Sequence, residues 1–301
     1  MSNSPGSTSP FPESPVVPST FGGTKVIRFR CHPQIACFNA CCRNIDISLT
    51  PYDILRLKHR LGLSSTDFLA RHTFPYEMEQ GGIAGVKLKP VEDGTACSFM
   101  TEAGCSVYAD RPTACRYYPI ALLSMRRQGE SFDQNAYALV EEEHCLGHRE
   151  PRELTVDEYR AEQGLPEYDD LARGWRQLVL KKKSSGATVG KPSSRSLQFF
   201  FMACYDIDRF RAFVASEGFS ALFDLPEEDR QAAAGNSLAD DTQLMAFGFR
   251  FLRQVLFGEE SVAVNEASAQ VRRERYRERV LQLEREAAER LARDEELREE
   301  D

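Results

Sequence analysis

The sequence predicts an α+β chain, in which an irregular, metal-stapled N-terminal domain with short strands is followed by a mainly helical C-terminal region. Three observations carry this prediction. Eight of the nine cysteines fall within one stretch around an adjacent pair, and they are Cys31, Cys37, Cys41, Cys42, Cys97, Cys105, Cys115 and Cys145. Short runs near them alternate apolar and polar residues, as strands do. Beyond residue 197, apolar residues recur every three or four positions, which indicates helices.

Composition limits the classes of partner. The 301 residues are 42% hydrophobic, which is enough for one large or two medium domains with a core. The net charge of -8 predicts no nucleic-acid partner, because phosphate binding needs a cationic surface. The sequence contains no run of about 18 apolar residues, so we predict no membrane-spanning segment. Residues 1–24 lack the features of a signal peptide, so we expect a cytoplasmic protein with a disordered tail there.

Strand signals frame the cysteines. Lys25–Arg30 alternates in character and predicts a strand that leads into Cys31. Gly85–Pro90 and Ala96–Met100 predict two further strands, joined by a tight turn at Glu92–Gly94. Cysteine ligands would therefore lie at strand ends and turns.

Helix signals follow the cysteine pair. Thr50 is a typical N-cap and Gly62 a typical end for a helix over Pro51–Leu61. Ser64 opens a second, short helix. A third helix is predicted to begin just before Cys115, where free backbone amides would favour the thiolate and make it ready to ligate or react.

The chain is predicted to divide into six segments. They are a disordered tail (1–24), a cysteine-cluster metal-binding domain (25–150), a helical connector (151–180), a linker (181–196), a helical region (197–262) and a charged C-terminal helix (263–301). The helical region carries an aromatic stripe, which we interpret as core, and Cys204 on that stripe as a packing thiol. The C-terminal helix has a narrow apolar stripe that can pack on the body or on a protein partner.

Clustered thiols in a chain without an export signal predict metal ligation, not disulfides. Thiolates favour zinc, iron–sulfur clusters or copper(I) and disfavour magnesium and calcium. The spacing of the cysteines from Cys31 to Cys42 matches that of zinc knuckles only in part. Between zinc and an iron–sulfur cluster, this spacing favours the cluster. Eight thiols allow one four-ligand site with spares, two four-ligand sites, or a cluster of several ions. His32, His144 and His148 flank cysteines and are candidates to replace a sulfur or to support one.

Several motifs between residues 26 and 150 carry a resemblance to a known family. They are Cys37-Phe-Asn-Ala-Cys41-Cys42-Arg43, Thr50-Pro51-Tyr52-Asp53-Ile54, Cys97-Ser-Phe, Cys105-Ser-Val-Tyr108, Arg111-Pro112-Thr-Ala-Cys115-Arg116-Tyr117-Tyr118-Pro119 and Cys145-Leu-Gly147. This combination resembles the YkgJ family of bacterial cysteine-cluster proteins and implies a zinc- or iron-chelating domain. The resemblance implies that all the clustered cysteines except Cys31 are metal ligands, and that Arg111 and Tyr118 are supporting residues. The family's usual opening has cysteines two residues apart, and this chain departs from it between Cys31 and Cys41.

We therefore predict a metal-binding protein that holds zinc or an iron–sulfur cluster. One alternative is a cluster-dependent modification enzyme or methyltransferase-like accessory, since the chain is similar to flagellin lysine methylase in its cysteine cluster. Another is a redox sensor or metal chaperone. The sequence has no glycine-rich nucleotide motif, P-loop or Ser-His-Asp signature, so we assign no catalytic residue and favour a protein that is not an enzyme.

Overall fold

The computed structural model describes residues 20–78, 82–125, 134–184 and 192–299. These residues form two compact units, one ending at Arg209 and the other beginning at Phe210. The strands of the described residues all lie in the first unit, whereas the second is built from helices. The α+β class predicted from the sequence is confirmed. Most of the predicted tail and the centre of the predicted linker lie outside the described residues.

The strands pair in antiparallel fashion and form small sheets. They are β1 (Val26–Arg28), β2 (Ser48–Leu49), β3 (Thr73–Glu77), β4 (Ala84–Leu88), β5 (Met100–Thr101), β6 (Gly104–Cys105), β7 (Ile120–Met125), β8 (Gln134–Leu139) and β9 (Glu153–Thr155). β1 pairs with β9, β5 with β6 and β7 with β8, while β4 lies between β2 and β3.

The helices account for most of the remaining structure. They are α1 (Pro51–Leu61), α2 (Ser65–His72), α3 (Thr113–Tyr117), α4 (Val156–Glu162), α5 (Leu165–Ser184), α6 (Ser194–Tyr205), α7 (Ile207–Val214), α8 (Glu217–Ser220), α9 (Glu227–Ala234), α10 (Leu238–Phe257) and α11 (Glu266–Glu299). α1 has the predicted bounds, with Thr50 as its N-cap and Gly62 at φ 64° as its C-cap. Ser64 caps α2 as predicted.

The pairing of β1 with β9 joins the two ends of the cysteine-rich segment, with Val26 opposite Thr155. A buried cluster forms beneath this pair and the β7–β8 hairpin. Its members are Ile27, Phe29, Tyr117, Ile120, Tyr137, Leu154, Val156, Tyr159 and Leu165, and Cys145 packs against it. Phe21, near the end of the predicted tail, exchanges both backbone hydrogen bonds with Tyr137 at 2.9 Å. The core therefore supports the chain around Cys145.

The predicted hairpin across Glu92–Gly94 differs in the structure. The turn forms, with Asp93 at φ 57°, but pairing is reduced to one bridge between Pro90 and Cys97. β4 instead pairs with β2 along one edge and with β3 along the other. The chain after Cys97 pairs locally as β5 and β6, because backbone groups find partners across the short turn between them.

The predicted aromatic helix is interrupted. α6 ends at Tyr205 and α7 begins at Ile207, because Asp206 leaves the helical conformation at φ -113° and ψ 70°. Its buried carboxylate accepts hydrogen bonds from the hydroxyl groups of Ser65 at 2.7 Å and Thr66 at 2.9 Å. The described ends of the predicted linker belong to α5 and α6.

Aromatic rings form the core of the second unit, as the sequence indicates. The Phe210 ring lies 6.0 Å from both Phe247 and Phe251, and Phe219 lies 5.8 Å from Phe251. α11 extends the unit as one long helix. Among the described residues, no helix combines the length and apolarity that a membrane crossing needs.

Candidate metal centre

The eight clustered thiols come from separate parts of the first unit, and all nine cysteines are free. Cys31 follows β1, Cys41 and Cys42 close a 3-10 turn at Ala40–Cys42, and Cys105 ends β6. Cys115 lies in α3, and Cys145 lies between β8 and the next short turn. Cys31 and Cys41 are exposed, whereas Cys204 is buried in α6, away from solvent.

Backbone hydrogen bonds bring the first and last of these thiols together. Arg30 N–H donates to the Gly147 carbonyl at 3.1 Å, which lays the chain before Cys31 beside the segment of Cys145. Leu146 N–H donates to Cys37 Sγ at 3.2 Å. A thiol sulfur that accepts a backbone N–H has the environment that many metal-bound thiolates have.

A second set of hydrogen bonds gathers the thiols from the middle of the segment. Cys97 N–H donates to the Cys42 carbonyl at 2.8 Å. Met100 N–H donates to the Cys97 carbonyl at 3.0 Å, and Met100 pairs with Cys105 across the β5–β6 hairpin. Cys42, Cys97 and Cys105 thus lie on one connected piece of backbone.

The adjacent pair has opposite acid strengths. Cys41 Sγ and Cys42 Sγ are 3.9 Å apart. The hydrogen bond from Cys42 lowers the pKa of Cys41 to about 7, and the same interaction, with burial, raises the pKa of Cys42. Burial raises the pKa of Cys31 to about 11, and the neighbouring thiols Cys41, Cys37 and Cys145 add to that rise.

Three further thiols, Cys97, Cys105 and Cys115, are held as neutral groups in the metal-free protein. Burial raises the pKa of Cys97 and Cys105, and Cys41 contributes to both rises. Burial raises the pKa of Cys115 to about 12, with a further contribution from Cys97. The expectation that a helix N-terminus would favour the Cys115 thiolate is wrong, because burial dominates and another acid already uses the helix start.

That acid is Asp53, which is fully buried. One carboxylate oxygen accepts from Thr50 N–H at 2.8 Å and closes the capping box of α1. The other accepts from Thr113 N–H at 2.8 Å and from the Thr113 hydroxyl at 2.7 Å, at the start of α3. Asp53 therefore fixes the short helix that carries Cys115 to α1. The sequence shows the α1 cap, but nothing local marks the second role of this side chain.

Two arginines shape the surroundings of the thiols, one through its charge and the other by holding a loop. Arg111 is the cation that lowers the pKa of Cys31, Cys41, Cys105 and Cys115, so it partly offsets their mutual repulsion. Arg116 is buried and donates to the carbonyl oxygens of Arg111 at 3.0 Å, Gln163 at 2.6 Å and Ala109 at 2.5 Å. Arg116 thus holds the loop of Arg111 in place, a role that the Cys-Arg motif did not reveal.

The histidines have partners other than sulfur. His32 contacts Gln34 at 3.1 Å and Glu150 at 3.3 Å. His144 lies 3.5 Å from Glu142, and His148 lies 3.1 Å from a backbone carbonyl and packs on the Phe29 ring. These contacts favour a centre made of thiolates alone.

One buried polar atom indicates that an acceptor belongs at this place. Arg111 Nε has no hydrogen-bond partner in the described part of the chain, although Nη2 of the same guanidinium donates to Gln163. Arg111 also lies among four of the thiols. Burial raises the pKa of the Tyr118 phenol, and hydrogen bonds with Cys145 and Glu142 add to that rise. An unpaired buried donor is costly, and a metal-bound thiolate or sulfide would accept from Arg111.

The residues therefore fit zinc or iron by their donor chemistry, although the site is not closed. Within the described ranges, no three Cys, His, Asp or Glu side chains already converge on one ion. Protonated thiols have no attraction that draws them to bonding distance, so an ion would bring them together by side-chain rotation. Once bound, zinc or iron would supply a strong cross-link between thiolates.

Residues 30–146 match the model of the CxxCxxCC family, described as "Putative zinc- or iron-chelating domain". The match covers the eight clustered thiols and confirms the resemblance to a cysteine-cluster family of the YkgJ type. No curated protein and no solved structure matches the chain significantly.

Proposed function

We propose that this protein binds zinc or iron through the thiolates of its cysteine cluster, because residues 30–146 match the model of the CxxCxxCC family. The ligands in this proposal are the eight clustered cysteines from Cys31 to Cys145. Arg111 and Tyr118 support the bound centre as hydrogen-bond donors to sulfur.

The observation that carries the proposal is that eight thiols from distant positions in the chain lie near one another, with Arg111 and its unpaired buried Nε among them. In the metal-free protein, burial and the repulsion between these thiols oppose their ionisation. A metal ion reverses this balance, because it replaces the protons and attracts every thiolate.

The proposed metal also has a structural role. The thiols lie on short strands, turns and a five-residue helix, and these elements have little regular hydrogen bonding of their own. Ligation would tie them together, and the binding free energy would then become folding free energy.

The experiment is elemental analysis of full-length protein purified without oxygen, with an absorption spectrum of the same sample. We expect zinc or iron bound in stoichiometric amount and lost when Cys41 and Cys42 are both replaced by alanine. Cys204→Ala is the matched control, because it removes a thiol outside the cluster and should leave the metal content unchanged.

The outcomes identify the metal and test the proposal together. Iron with an equal amount of labile sulfide and a brown colour would identify an iron–sulfur cluster. A colourless protein with zinc would identify thiolate-bound zinc. Protein that carries neither metal, and takes up neither after reduction and reconstitution, would refute the proposal. Roles in protein modification, redox sensing or metal delivery stay predictions.

A further inference from the structure

We infer that the eight thiols form two sets of four, each of which holds its own metal centre. The terminal set is Cys31, Cys37, Cys41 and Cys145. The middle set is Cys42, Cys97, Cys105 and Cys115. This inference rests on the proposed function and deepens it, because it assigns the ligands that share a metal.

The terminal set is joined where the beginning and the end of the cysteine-rich segment meet. Leu146 N–H donates to Cys37 Sγ at 3.2 Å, and Arg30 N–H donates to the Gly147 carbonyl at 3.1 Å. These two bonds place Cys37 and Cys31 against the loop of Cys145. The loop itself is turned by a hydrogen bond of 2.9 Å from Cys145 N–H to the Glu142 carbonyl.

The middle set is joined through Cys97. Its N–H donates to the Cys42 carbonyl at 2.8 Å, and its carbonyl accepts from Met100 N–H at 3.0 Å, opposite Cys105. Cys115 reaches the same place on α3, which Asp53 fixes through Thr113.

Cys41 interacts with thiols of both sets, and the charge interactions among the other thiols follow the same division. Cys31 interacts with Cys41, Cys37 and Cys145. Cys42 interacts with Cys97 and Cys115 of its own set, and Cys97 interacts with Cys105.

Cys41 marks the junction between the sets. It contacts Cys42 with a sulfur separation of 3.9 Å and also acts on Cys97, Cys105 and Cys115. Glu142 repels the Cys41 thiolate and acts to raise its pKa, so Cys41 also lies near the loop of Cys145. The adjacent cysteines thus serve two neighbouring centres, one thiol to each.

The count agrees with thiolate chemistry. A structural zinc ion takes four ligands in a tetrahedron, and a common iron–sulfur cluster takes four cysteines. Two sets of four use all eight thiols, whereas a single four-ligand centre would leave four thiols over in the same place. The division therefore gives every clustered cysteine a role.

The test is a titration of reduced, metal-free, full-length protein with Co(II) in the absence of oxygen. Thiolate-bound cobalt is read from its sulfur-to-metal absorption. We expect an end point of two cobalt ions per chain for the natural protein and for the Cys204→Ala control. The double variant Cys37→Ser with Cys145→Ser, and the double variant Cys97→Ser with Cys115→Ser, should each bind one.

A second measurement does not depend on how the variants fold. The natural protein is loaded with one equivalent of Co(II) and alkylated, and the protected cysteines are identified by peptide mass mapping. The four cysteines of one set should be protected to the same extent. The extent of protection can differ between the two sets, because each set fills independently.

An end point of one cobalt ion would overturn the division, and so would unequal protection of the four thiols within either set at half loading. Either result would leave the proposed metal binding intact. Absence of any thiolate-bound metal, in this titration and in the purified protein, would instead refute the proposed function itself.

Discussion

Cys41 and Cys42 are neighbours in the chain, yet their thiols differ in acidity because one donates a hydrogen bond to the other. In metal-free protein the pKa of Cys41 is lowered to about 7, whereas burial raises that of Cys31 to about 11. The thiolate is the reactive form. As pH rises through about 7, we therefore expect Cys41 to be alkylated by iodoacetamide before Cys31 and Cys42, as measured by peptide mass mapping.

Replacement of Cys42, the hydrogen-bond donor, tests whether this hydrogen bond causes the difference in thiol acidity. Cys42→Ala removes the hydrogen bond, so the pKa of Cys41 should rise and its alkylation midpoint should move to higher pH. Cys42→Ser keeps a hydroxyl donor and should move the midpoint less. A midpoint that is the same in all three proteins would show that the hydrogen bond does not set the acidity of Cys41.

The roles of single residues were readable from the sequence only where they depend on local neighbours. Thr50 and Gly62 could be assigned as helix ends because caps act within one turn. The environment of Cys115 could not be predicted, because its burial and the carboxylate at the start of α3 come from distant parts of the chain. Arg116 acts through carbonyl groups of loops that fold against it.

Two helices depend on one carboxylate, since Asp53 caps α1 and accepts two hydrogen bonds at the start of α3. Asp53→Asn keeps the size of the side chain but turns an acceptor into a donor that faces a backbone N–H. Loss of buried hydrogen bonds of this kind costs about 1–3 kcal/mol. We expect a decrease of that size in the free energy of unfolding of metal-loaded protein, measured by urea denaturation.

Asp240→Asn is the matched control for this substitution. Asp240 closes the capping box of α10 with Ser237, but it is only partly buried and its capping hydrogen bonds lie at the start of that one helix. A cap of this kind is worth about 1 kcal/mol or less when a hydrogen-bonding side chain remains. Metal affinity should fall in Asp53→Asn and stay unchanged in Asp240→Asn. Equal effects of both substitutions would mean that Asp53 acts as an ordinary cap.

The secondary structure was predicted best where it is periodic. α1 and α2 follow from their caps, and the helical character beyond residue 197 follows from apolar spacing, because both are properties of a few successive residues. The strands around the thiols are two to six residues long, and their partners depend on which distant segments meet. The predicted hairpin at Glu92–Gly94 was reduced to a bridge for this reason.

For the whole chain, the sequence predicted the resemblance to a cysteine-cluster domain and the fold class, since these follow from the identities of the residues. It left open which thiols lie together. That grouping depends on backbone hydrogen bonds such as Cys97 to Cys42 and Leu146 to Cys37, which join residues 55 and 109 positions apart. Sequence spacing contains no information about contacts made at such range.

Metal removal should affect one part of the molecule more than the other. Every cysteine precedes Arg209, whereas the second unit has its own aromatic core. A structural zinc ion contributes about 10–16 kcal/mol in small domains. For a domain of 150–250 residues, each kcal/mol corresponds to about 2–4 °C in Tm. Chelation under reducing conditions should therefore lower the transition of the first unit by about 20 °C or more and leave the other in place.

Calorimetry of the full-length protein checks this prediction, and Phe247→Ala identifies the transitions. Phe247 is buried in the second unit, and truncation of such a side chain costs about 3–5 kcal/mol. It should lower the transition that chelation leaves unchanged. If chelation lowered the transition sensitive to Phe247→Ala and spared the other, the metal would not stabilise the cysteine-rich unit. If it moved neither, ligation would contribute nothing to the fold.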